Sequence, residues 1–132
     1  MYLLDASSIV NLIRRGSIRP LIEGVTLDLA LYESLNAVWK EHRLLKRFDR
    51  KIASEFLGII SDVFSVIKIA SIKGFEEGVF NLALKENVTI YDASYMYIAM
   101  KGGLILVTDD RKLKDRASKY LKVISTSELV SS

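Results

Sequence analysis

The chain has 132 residues, half of them hydrophobic, a formal net charge of +3 and no cysteine. That length allows one domain, here 1–132, with a real core; a mean hydropathy of +0.23 argues against disorder; and the missing thiols exclude a disulfide framework and thiolate metal ligation. A single histidine, His42, excludes a histidine-rich zinc centre, and the apolar runs are too short to cross a bilayer, so a cytoplasmic protein is expected.

Met1 to Leu4 reads as a short buried strand. Ser7 or Ser8 offers a cap for a helix over Ile9, Val10, Leu12 and Ile13 that ends near Gly16. Ser17 to Gly24 forms a helical connector with the only proline, Pro20, before a strand over Val25 to Leu29. A helix from about Tyr32 follows the 3.6 period through Leu35, Val38, Trp39, His42 and Leu45. Asp49 through Ile59 begins another helix; beyond Gly58 and Ser61, Val63 to Ile69 fits helix or strand equally. Ser71 to Lys85 reads as helix despite Gly74 and Gly78, and Asp92 can cap the helix that carries Tyr95, Met96, Ala99 and Met100 to Gly102-Gly103. Leu104 to Val107 is the clearest buried strand, followed by a basic helix around Lys112 to Ser118 and a strand at Leu121 to Ile124. Short apolar strands alternating with helices predict an α/β fold, a mostly parallel sheet covered on both faces, with ligands beyond the carboxyl ends of its strands.

Acids stand at those ends. Asp5 closes the first apolar run, Asp109-Asp110 closes the run ending at Thr108, and Glu33 and Asp92 lie near helix starts. Taken singly, each also fits a structural role: Asp5, Asp92, Asp109 and Asp110 as caps or turn residues, Glu33 as a partner of a helix dipole. Taken together, converging carboxylates repel one another and need a cation, and an all-oxygen donor set favours Mg²⁺ or Mn²⁺. Ser7 and Thr108 could orient those carboxylates or satisfy loop backbone, and Asn36 lies on the same helix face as Glu33. Two basic runs, Lys40 to Lys51 with Arg43 and Lys46, and Arg111 to Lys119 with Lys112, could hold phosphates or be solvated faces. Trp39, Tyr32 and Tyr95 are expected to pack a core or a subunit interface.

The chain resembles a PIN-domain ribonuclease, in particular the small VapC-type toxins of prokaryotic toxin–antitoxin pairs. The resemblance rests on Leu3-Leu4-Asp5-Ala6-Ser7-Ser8, Glu33-Ser34-Leu35-Asn36, Tyr91-Asp92-Ala93-Ser94-Tyr95 with Ala99, and Leu106-Val107-Thr108-Asp109-Asp110-Arg111-Lys112-Leu113. It implies a PIN-like three-layer α/β/α sandwich and Mg²⁺- or Mn²⁺-dependent endonucleolytic cleavage of RNA. It also implies a homodimer and a cognate antitoxin whose tail blocks the groove. Asp5, Glu33, Asp92 and Asp110 would be the catalytic and metal-holding acids. Ser7 and Thr108 would support them, Asn36 would lie close, and Asp109 would be a peripheral ligand. Arg111, Lys112, Arg43 and Lys46 are the candidates for contact with RNA. Two alternatives stand beside this reading: a PIN-fold RNA-binding or RNA-processing protein without a toxin role, and a receiver-like Mg²⁺-binding signalling module.

Overall fold

The computed structural model describes residues 1–131; the last residue of the domain expected over 1–132 lies outside them. Five short strands, β1 (Tyr2–Leu4), β2 (Val25–Leu27), β3 (Lys68–Ala70), β4 (Ile105–Val107) and β5 (Val123–Ile124), form one sheet in the order β3-β2-β1-β4-β5. Every pairing is parallel, with Leu4 opposite Val107 at the carboxyl ends of the two central strands. Leu3, Leu4, Leu106 and Val107 have no exposed surface, because helices cover both faces. This is the α/β/α sandwich expected.

On one face α1 (Ala6–Arg15), α3 (Leu29–Trp39) and α4 (Arg50–Val66) pack on one another, with α2 (Arg19–Glu23) against α1 and α4. On the other, α5 (Glu76–Glu86) packs on α6 (Ile90–Gly102); α7 (Arg111–Ala117) links β4 to β5, and α8 (Thr126–Ser131) returns to α1. The α5–α6 contact is close: a Cβ on Gly78 would sit 2.6 Å from the Tyr97 ring. From β1 the chain winds outward to β2, and from β4 it winds the opposite way to β5. The crevice where those directions part is the usual ligand position in such sheets. Among the described residues no helix is long and apolar enough to cross a membrane.

Several boundaries differ from the sequence reading. Asp5, in extended backbone, caps α1 rather than Ser7 or Ser8, and left-handed Gly16 closes it. Helix α3 starts at Leu29 behind Asp28, not at Tyr32, and buries Ala30, Ser34 and Val38. Its small residues allow α3 close to both α1 and α4. The bulkier Leu35 and Trp39 therefore face outward, 38% and 51% exposed, and Tyr32 is 74% exposed, outside the core. A π-helical turn, Lys40–Leu44, prolongs α3 and brings the His42 ring 2.9 Å from the Phe48 carbonyl.

Exposed Gly58 and Ser61 do not interrupt α4, so the ambiguous segment divides into a helix end at Val66 and strand β3. The helix predicted from Ser71 begins only at Glu76, since Gly74 turns the chain with φ +95°. Thr89, not Asp92, caps α6: its hydroxyl accepts the Asp92 N–H at 3.1 Å. The strands predicted over Val25 to Leu29 and Leu121 to Ile124 are shorter, ending at Leu27 and starting at Val123.

Candidate active site

The site begins with a carboxylate that the fold has removed from water. Asp5 ends β1 and is 5% exposed. One carboxylate oxygen accepts the Ser8 N–H at 2.9 Å and the Ser7 hydroxyl at 2.8 Å, and the other accepts the Thr108 hydroxyl. Burial pushes the Asp5 carboxyl up to about 6, against the pull of those donors. Thr108 Oγ1 in turn accepts the Asp110 N–H at 3.0 Å, and Ser7 Oγ accepts the Asp109 N–H at 3.0 Å. Two hydroxyls thus tie the end of β1 to the end of β4.

Three further acids meet Asp5 around a cavity of about 200 Å³: Glu33 from α3, Asp92 from α6 and Asp110 from the start of α7. Because Thr89 performs the capping of α6, the Asp92 carboxylate makes no hydrogen bond among the described residues and is left for the cavity. Burial raises the Asp92 carboxyl, the Asp110 charge raises it further and the Lys112 ammonium opposes both. Burial also raises Glu33; the Tyr95 hydroxyl counteracts this, while Asp92 and Asp110 add to it. Asp110 caps α7, accepting the Lys112 and Leu113 N–H groups at 2.9 and 3.2 Å. Asp5 and Asp110 each both cap a helix and line the cavity.

Tyr95 is the residue whose part the sequence reading missed. It is 2% exposed and donates its hydroxyl to Glu33 Oε1 at 2.7 Å, which fixes that carboxylate toward the cavity. Burial and the neighbouring Glu33 and Asp5 charges push the phenol far up, so it stays a donor. Its place three residues after Asp92, on one helix face, was the available signal.

The donor set fits a hard divalent cation. Every ligand on offer is oxygen, and the raised Asp5, Glu33 and Asp92 carboxyls mark a cavity short of positive charge. Among the described residues no group of three or more acids or histidines is placed to hold a metal ion. Mg²⁺ rarely uses an all-protein cage, since it keeps several waters and takes one or two carboxylates.

The remaining candidates separate. Asp109 points away from the acids: it accepts the Thr126 N–H at 2.8 Å, the Thr126 hydroxyl at 2.5 Å and the Asn11 amide at 2.6 Å. Burial works against its ionised form, but those hydrogen bonds prevail and hold it below the usual carboxylate range. Arg111 and Lys112 line another cavity, of about 530 Å³ and mostly basic, with Asp115, Arg116 and Lys119. Asn36 lies in another flanking cavity of about 400 Å³, which shares Glu33 with the acidic one. Arg43 and Lys46 are exposed and line none of these three cavities. In their run Arg47 instead clamps Glu41, at 2.7 and 2.5 Å.

No protein-family model matches the chain. It is similar to Exonuclease VapC9 of Pyrobaculum aerophilum, 38% identical over 114 residues that span 85% of this chain and 82% of that protein. It is likewise similar to Ribonuclease VapC3 of the same organism, 42% identical over 69% of each chain. Among solved structures, PAE2754 from Pyrobaculum aerophilum superposes with a TM-score of 0.80 at 35% identity, covering 98% of this chain and 93% of that one. The receiver-like alternative falls with these likenesses: the chain belongs to the PIN-domain family, in its VapC-type branch.

Proposed function

We propose that this protein is a Mg²⁺- or Mn²⁺-dependent endoribonuclease and the toxin of a toxin–antitoxin pair. What carries the reading is one observation: Asp5, Glu33, Asp92 and Asp110, from four separate elements, line one small cavity at the parting of the sheet. Asp5, Asp92 and Asp110 would hold the ion, with Glu33 ligating a second ion or orienting water. A bound cation supplies charge compensation at the phosphoryl group and acidifies water. The chain's own residues do the rest. Thr108 and Ser7 fix Asp5, Tyr95 fixes Glu33, and Arg111 and Lys112 take the flanking phosphates.

Kinship with VapC-type proteins supports the toxin role, the cognate antitoxin and a homodimer. Exposed Trp39, Leu44 and Leu45 give such a dimer apolar surface to bury.

The test uses purified protein and a circular RNA. Mn²⁺ should permit cleavage, EDTA should stop it, and Asp5→Asn should abolish it. Cleavage that survives Asp5→Asn would sink the site assignment, and failure on circles alone would leave an exonuclease. A short reading frame beside the gene whose product silences cleavage would support the toxin role over RNA processing.

A further inference from the structure

Beside the acidic cavity lies a second pocket of about 400 Å³ lined by Leu29, Tyr32, Glu33, Asn36 and Tyr91. We infer that this pocket receives an unpaired nucleobase next to the scissile phosphate, stacked on Tyr32 and Tyr91 and read by Asn36. The inference rests on the nuclease reading for the polymer's identity; the rest comes from the pocket's own chemistry.

Tyr32 and Tyr91 are 74% and 57% exposed, and neither hydroxyl has a partner among the described residues. They present free aromatic faces, and half-buried Leu29 adds apolar surface. The exposed Asn36 side chain is also unpartnered there, and carries both a donor pair and an acceptor. No lysine or arginine lines this pocket, and Glu33 gives it a carboxylate. Phosphate would be repelled, so the occupant is flat, neutral and edge-polar. The cations lie instead in the cavity lined by Arg111, Lys112, Arg116 and Lys119. Glu33 belongs to both the base pocket and the acidic cavity, and Tyr91 precedes Asp92 in the chain. A base seated here places its own phosphate at the acids. Single-stranded RNA supplies such splayed bases; a duplex does not.

The experiment measures binding without metal, so it reads independently of cleavage. Fluorescence anisotropy in EDTA follows a single-stranded ribo-oligonucleotide and an abasic oligomer of the same length. Tyr32→Ala and Tyr91→Ala should each weaken RNA binding about tenfold or more while leaving the abasic oligomer unaffected. Tyr32→Phe, which keeps the ring, should bind as the parent does. Asn36→Ala should level the affinities for the four homopolymers. Equal RNA binding by both alanine variants, or equal losses on RNA and abasic oligomers, would overturn the proposal. So would a change in sedimentation mass, which would make this face a contact between copies of the chain. A parent that binds RNA through these tyrosines but never cuts it would refute the nuclease reading alone.

Discussion

Two neighbouring groups of carboxylates end up in opposite electrostatic states. At Asp109 the acid meets donors from Thr126 and Asn11 and is held below its ordinary range. Across the chain from it, Asp5, Glu33 and Asp92 are partly desolvated, and each carboxyl is pushed up. The two adjacent residues Asp109 and Asp110 belong to different groups: one fastens α8 to the end of β4, and the other turns to the acidic cavity. At Asp109 hydrogen bonds outweigh burial, whereas at Asp5, Glu33 and Asp92 burial prevails.

The contrast can be broken from either side. Beyond the abolition expected of Asp5→Asn, the largest effect on cleavage is expected from Asp92→Asn, which removes a cavity charge that no protein donor satisfies; metal-dependent cleavage should fall by on the order of a hundredfold, measured by single-turnover kinetics. Next comes Asp5. Its folded-state value of about 6 exceeds the ordinary 3.8, so folding takes up a proton between them. Asp5 should therefore contribute a loss of stability to the metal-free protein as pH rises from about 4 to about 6, and no further change above. Asp5→Asn should remove that loss and be more stable than the parent by about 1–3 kcal/mol at pH 7, with the gain vanishing near pH 4, in denaturant melts with EDTA. Added Mn²⁺ should stabilise the parent alone.

Asp109→Ala should do the reverse: a loss of about 1–2 kcal/mol in the same melts, because buried Thr126 loses its acceptor, with cleavage kept within a few-fold. The smallest effect is expected from Thr108→Val. Asp5 then loses a donor, so its carboxyl should climb further. Calorimetric Mn²⁺ affinity should drop about tenfold, with its pH midpoint moved upward. An unchanged midpoint would remove Thr108 from the positioning of Asp5.

Much of this contrast was legible in order but not in orientation. Asp5 and Asp110 could be found because a buried parallel strand must stop where its ligand-facing end begins. Glu33 and Asp92 came from their place near helix starts and then from the motif resemblance. The motif resemblance favoured Asp110 over Asp109 as the catalytic acid, but the fastening of Asp109 by Asn11 and Thr126 comes from elsewhere in the fold and was not legible. Tyr95 read as packing because its partner Glu33 lies 62 residues away. Tyr32 and Trp39 lie outside the core, one of the two places expected for them, because small Ala30 and Ser34 set the phase of α3. Asp92 competed with Thr89 for the cap, and only the helix register decides between them.

The pairing of β1 with β4 has a consequence for biosynthesis. Asp5 is made 103 residues before Thr108, whose strand seats that hydroxyl beside it. Until that strand docks in the centre of the sheet, the carboxylates remain separate solvated side chains on a growing polymer. The cavity therefore forms only once β4 has been made and has docked beside β1.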